Sequence, residues 1–217
     1  VPGDPLGEYE GGVRPIAGGR IADVGGAKPV GTGGEEKGNP WRTPGRNVTV
    51  AGLVLEIRKR GGRTSFILDD RSGRLEVTMF EDVYQQFRSL VSKDAILVVE
   101  GGLRWDDFID DWRLSAKKIM DVDQAREQYA RRLVLRWPSA ERNGDARKLV
   151  SAIEQALRTS MGGRCSVAVR YAREDAAAFL NFGAEWTVRP SRELVERLGQ
   201  LVGRDGVEVV YAPRVEG

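Results

Sequence analysis

From Asn47 to Asp121 the chain carries five segments rich in β-branched residues, divided by short glycine- or aspartate-bearing turns and by one stretch of helical period. Few architectures accept that order. The first segment, NVTVAGLVLEIRKR, is broken by Gly52. A glycine inside a long strand predicts a bulge or the tight coil of a small barrel. Gly61-Gly62 makes a hairpin turn, TSFILDD is the second strand, and Arg71-Ser72-Gly73 makes the next turn. RLEVTMF alternates, with Leu75, Val77 and Met79 on one face and Arg74, Glu76, Thr78 and Phe80 on the other.

The period then changes. Val83, Tyr84, Phe87, Leu90 and Val91 recur at helical spacing, with Glu81 and Asp82 at the positive end of the helix dipole. AILVVEGGLRW gives a fourth strand, the loop Asp106 to Asp111 follows, and WRLSAKKIMDV gives a fifth. Three strands, a helix and two strands is the order of an OB-fold, a small Greek-key barrel plugged at one end by its helix. Such barrels are binding platforms, most often for oligonucleotides.

Residues 123–217 read as a second unit. Asp123 is placed to cap a short helix through Tyr129, and Arg131–Trp137 is a strand stopped by Pro138. Asp145 caps a helix to about Thr159, striped by Leu149, Ile153, Ala156 and Leu157 and ended by Gly162-Gly163. CSVAVRYA is a strand, and Ala177–Val188 is another, interrupted by Gly183. Ser191 caps a last helix with Leu194, Val195, Leu198 and Leu201 on one face, and GVEVVYA closes the unit as a strand. The expected fold class is therefore mixed: a β-barrel followed by a small α/β domain. Residues 1–46 hold 13 of the 27 glycines without apolar period and read as a linker, with a turn of structure allowed near Val13–Ile21.

Composition narrows the chemistry. The chain has no histidine, which removes the usual general base and the commonest metal ligand. A single cysteine, Cys165, excludes an internal disulfide and a multi-cysteine zinc site. Asp69-Asp70 precedes a turn, where aspartate caps backbone, so it reads as turn chemistry rather than a catalytic pair. The four aspartates of the 106–111 loop lack the glycine and glutamate of a calcium loop. No catalytic residue, metal site or cofactor is expected. No run of apolar residues is long enough to span a membrane, the start of the chain does not read as a signal peptide, and a cytoplasmic setting is expected. Residues 47–122 carry 12 basic and 13 acidic side chains, so nucleic-acid binding should be local and weak.

Two rims carry the candidate residues. Arg58, Lys59, Arg60 and Arg63 crowd the loop between the first two strands, where cations can hold phosphates without reading sequence; a solubilising hairpin tip has the same look. Trp105, Phe108 and Trp112 flank the opposite loop, where they either stack bases or cap the barrel. Arg74 shares the open face of the third strand, Phe80 is expected to tuck under the helix, and Arg113 and Lys117 share a face of the fifth strand.

The run TVAGLVLEIRKRGGRTSFILDDRSGRLEVTMFEDVYQQF resembles the OB domain of the α subunit of bacterial DNA polymerase III, a replicative polymerase. The likeness continues through LVVEGGLRWDDF, Met120–Ala130, Phe182-Gly-Ala-Glu-Trp186, Val188, Pro190, Ser191 and Gly206–Val209. It covers about 47–217 and poorly 1–46. The resemblance implies the C-terminal, non-catalytic part of a nucleotidyltransferase, since the family's polymerase carboxylates lie upstream. It implies an OB domain that meets single-stranded template DNA and a terminal domain that docks the clamp-loader τ subunit, beside the remainder of the polymerase. By resemblance, Leu201, Val202, Val207, Val209 and Tyr211 are the τ-docking candidates, with ordinary core as the other reading for Leu201 and Val207. A protein-assembly module that binds no nucleic acid, and an anticodon-reading barrel of a class II tRNA synthetase, are the alternatives.

Overall fold

The computed structural model describes residues 15–25, 46–138, 146–172 and 177–211. Its packing divides the chain into two compact units that meet in sequence between Val122 and Asp123.

In the first unit, strands β1 (Arg46–Arg60), β2 (Arg63–Asp69), β3 (Arg74–Met79), β4 (Ile96–Asp106) and β5 (Asp111–Met120) close a barrel in the order β1-β2-β3-β5-β4. All pairings are antiparallel except β3 with β5, so the chain crosses over between them. Gly52 does not itself bulge. The register slips two residues later, between Val54 and Glu56, while a Cβ on Gly52 would stand 2.8 Å from the Asp69 carbonyl oxygen. The glycine is there to let β1 close on β2. Gly61 and Gly62 both have positive φ, 56° and 73°, as a tight hairpin requires. The alternation in β3 buries Leu75, Val77 and Met79 together with Phe66, Leu68, Leu103 and Leu114. The helix between β3 and β4 is shorter than its apolar period predicts, ending at Phe87 rather than near Val91.

The linker expected over 1–46 falls mostly outside the described residues. Its described piece, 15–25, includes the turn allowed near Val13–Ile21 and packs on the barrel. Ile16, Ile21 and Val24 are buried, and a single helical turn, α1 (Ile21–Val24), is held by hydrogen bonds from Gly18 N–H to the Thr49 carbonyl and from Ile21 N–H to Asp70. Arg46 also donates to the Val24 carbonyl. Three apolar residues spaced among glycines give no period, so only their tertiary contacts reveal the role.

The second unit is an α/β layer. Helices α2 (Glu81–Phe87, in the barrel) and α3 (Val122–Tyr129) precede strand β6 (Ala130–Arg136), followed by α4 (Ala146–Arg158), β7 (Met161–Ala172), β8 (Ala177–Asn181), β9 (Thr187–Val188), α5 (Arg192–Val202) and β10 (Val207–Tyr211). The sheet runs β10-β6-β7-β8, with β9 also on β7, and only β6 with β7 is parallel. Leu133, Leu135, Val167, Ile153, Leu157, Leu194 and Leu198 make its core. Ser191 caps α5, accepting from Leu194 N–H at 3.3 Å. Two expectations are corrected. Asp123 lies inside its helix and accepts instead from Arg126 and from the Arg192 N–H. Gly162 and Gly163 belong to β7, because a Cβ on Gly163 would stand 2.0 Å from the Val188 carbonyl oxygen of β9. The expected cap at Asp145 lies outside the described residues. Among those residues no helix is long and apolar enough to cross a membrane.

Candidate nucleic-acid interface

The two rims approach each other on the barrel. Counting outward from the β4–β5 turn, Asp106 faces Asp111, Trp105 faces Trp112 and Arg104 faces Arg113. The end of this hairpin and Arg63 at the start of β2 enclose an open cleft of about 430 Å³. Its cations are Arg63, Arg104 and Arg113, its aromatics Trp105 and Phe108, and its carboxylates Asp106 and Asp107. Arg104 was not singled out from sequence, although the symmetry of the hairpin pairs it with Arg113.

The four cations expected in the β1–β2 loop lie instead in the paired strand ends, Arg58, Lys59 and Arg60 in β1 and Arg63 in β2, because the turn is only Gly61-Gly62, and they are not equivalent. Arg58 is turned back on Glu56 by two hydrogen bonds of 2.9 and 2.8 Å, which hold the Glu56 carboxyl below its ordinary range. Lys59 rests over the Tyr84 ring, 4.7 Å from its centroid, and Arg63 over the Phe80 ring at 5.6 Å. Arg60 is exposed. Phe80 is itself 37% exposed, which corrects the expectation that it tucks under the helix.

The aromatics of the other rim divide as sharply. Phe108 is 96% exposed at the tip of the turn. Trp105 lines the cleft and meets Trp112 edge to face, 5.6 Å between centroids. Trp112 is not offered to a ligand in the same way. It packs on the barrel core, and a Cβ on Gly25 would stand 2.4 Å from its indole Cδ1, so the N-terminal segment covers it.

Arg113 is the most tightly held cation. Its guanidinium pairs with Glu76 of β3 at 2.9 Å and Asp106 of β4 at 2.5 Å, all three side chains being about a fifth to a quarter exposed. Two carboxylates already occupy it, so a phosphate must compete for it. Arg74 pairs with Asp69 at 3.0 Å, and Lys117 donates to Asn47 at 2.8 Å, both at exposed positions away from the cleft lining. The aspartate pair is turn chemistry. Asp69 accepts from Arg71 N–H, and Asp70 from the Ser72 hydroxyl and the N–H groups of Ser72, Gly73 and Ile21. Burial raises the Asp70 pKa, but these bonds outweigh it and leave the carboxyl below its ordinary value. Cys165 is buried in the second unit, and burial pushes its thiol up to about 11.

The terminal candidates lie in the second core. Val202 is 6% exposed, and Leu201, Val207, Val209 and Tyr211 pack on the same cluster. Burial raises the Tyr211 hydroxyl pKa against the opposing pull of Arg126. Along β10 the exposed side chains are instead Glu208 and Val210.

The closed five-stranded barrel with a cation- and aromatic-lined cleft defines an OB-fold joined to a small α/β unit. Residues 48–122 match the family described as an OB-fold nucleic acid binding domain, and residues 152–203 match the C-terminal domain of DNA polymerase III subunit alpha. The DNA polymerase III subunit alpha of Escherichia coli K12 is 40% identical over 172 residues, covering 77% of this chain and 15% of that protein. The Pseudomonas aeruginosa subunit is 34% identical over 215 residues, 96% of this chain and 16% of that protein. A solved asparaginyl-tRNA synthetase from Pyrococcus horikoshii aligns at 18% identity over 54% of this chain and 30% of that one, with a TM-score of 0.33. The chain is thus homologous to the C-terminal region of DNA polymerase III subunit alpha. It spans about 15% of the length of the curated relatives it matches.

Proposed function

We propose that the barrel holds single-stranded template DNA in the cleft between its two loop rims, and that the second unit docks the clamp-loader τ subunit. The observation that carries the first part is the meeting of both rims at one cleft, where Arg63 stands beside Trp105 and Phe108. Cations there engage phosphates and aromatics stack bases without reading their edges, the combination that suits a strand of any sequence. The near balance of charge over 47–122 and the carboxylates on Arg113 make this a weak hold, compatible with a strand that must slide. The quadruple alanine variant of Arg58, Lys59, Arg60 and Arg63 should lose single-strand affinity. Unchanged affinity would remove the loop from the mechanism.

The docking of τ is supported by the homology of residues 152–203 to the C-terminal domain. Since Leu201, Val202, Val207, Val209 and Tyr211 pack on the core, the docking surface would use exposed neighbours such as Val210. A second reading, a barrel that binds protein only, draws its support from the neutralised Arg113. It predicts that no single-strand binding is measurable even at low salt.

A further inference from the structure

Phe80 occupies the N-cap position of α2 with extended backbone, and the Tyr84 N–H closes the first turn onto the Phe80 carbonyl at 2.8 Å. The two rings are therefore neighbours one turn apart. Phe80 is more than a third exposed, whereas Tyr84 is half-buried against the barrel core. Each ring carries a cation from the β1–β2 hairpin, Arg63 of β2 on Phe80 and Lys59 of β1 on Tyr84. Arg63 also lines the cleft, so it stands between the Trp105–Phe108 rim and this pair of rings.

A cation on an exposed ring is held weakly, more weakly than a nucleobase stacked on the same ring. An incoming base can take the ring, and the displaced cation is then delivered beside that nucleotide's phosphate. Glu81 and Asp82 follow Phe80 directly and disfavour phosphate at the helix end itself. The rings and the parked cations remain as the contact surface.

We propose that the single-strand track continues from the cleft past Arg63 onto Phe80 and Tyr84, with Arg63 and Lys59 as displaceable covers over these stacking platforms. This rests on the cleft being a single-strand site and adds a second subsite to it. The test is anisotropy of labelled dT oligonucleotides of about 4 and 12 nucleotides with the full chain and its Phe80→Ala and Phe80→Trp variants. Phe80→Ala should weaken the longer strand by roughly five- to 150-fold, as loss of one stacked base does. The salt slope should not change, because no cation is removed. The shorter strand, which the cleft alone can hold, should be little affected, and Phe80→Trp should bind like the parent. Binding is read at a temperature where melts show all variants folded, because Phe80 is only 37% exposed and its truncation can lower stability. A Phe80→Ala variant that binds the longer strand as the parent does overturns the extended track and leaves the cleft standing. A parent chain that binds neither strand overturns both.

Discussion

The Ile21 N–H donates to the Asp70 carboxylate at 2.8 Å across 49 residues of sequence, tying the N-terminal segment to the β2–β3 turn. The same carboxylate organises that turn through Ser72 and Gly73. Removing it leaves buried donors without an acceptor, which costs about 1–3 kcal/mol for each group left unpaired. Asp70→Ala should therefore lower the melting temperature and strip exchange protection from the amides of residues 21–24, read by hydrogen exchange.

The same tie should depend on acid. Asp70 has a folded pKa below its ordinary value, so it contributes stability above the unfolded carboxyl pKa and loses it as the pH falls through the folded one. Protection at Ile21 should hold at neutral pH and fade only at pH values below the ordinary aspartate range. In an Asp70→Asn variant that acid step should vanish.

On the binding face, Arg113 is shared between Glu76 and Asp106. Asp106→Asn should release part of the guanidinium to phosphate. Single-strand affinity at low salt should rise several-fold and the salt slope should steepen by about one phosphate contact. A fall in affinity would mean that Asp106 positions Arg113 for the strand rather than competing for it.

Phe108 offers the cleanest separation of binding from folding. It is almost fully exposed, so Phe108→Ala should leave the melting temperature unchanged while costing roughly 1–3 kcal/mol of single-strand binding. Trp112→Ala should do the reverse in emphasis. It removes a ring packed on the core and on Gly25, and should cost about 3–5 kcal/mol of stability.

Cys165 should be inert. Its thiol is buried and raised to about 11, so an alkylating reagent at pH 8 should label it only after denaturation. Labelling of the native chain would indicate local opening between β7 and the helices that cover it.

What could be read from sequence was whatever short-range pattern imposes. The alternation of Leu75, Val77 and Met79 fixed a buried face, Ser191 announced the start of α5, and the hairpin glycines 61 and 62 set a turn. What could not be read arises between residues remote in sequence. Ile16 and Ile21 gain meaning only against the barrel they pack on. The Glu76–Arg113–Asp106 cluster gathers three strands, and the resting places of Lys59 and Arg63 depend on where α2 begins. The core placement of Val207, Val209 and Tyr211 likewise follows from β10 joining β6, a pairing over some seventy residues that strand pattern alone leaves open.

The central claim is a single-strand site on the barrel, and the most direct measurement is anisotropy of a labelled dT strand titrated with this chain at several salt concentrations, beside a duplex of equal length. The account predicts weak binding that favours the single strand and falls with salt along a shallow slope, reflecting the few phosphates that Arg60, Arg63 and their neighbours can hold. Absence of binding at low salt, or a preference for duplex, would contradict it.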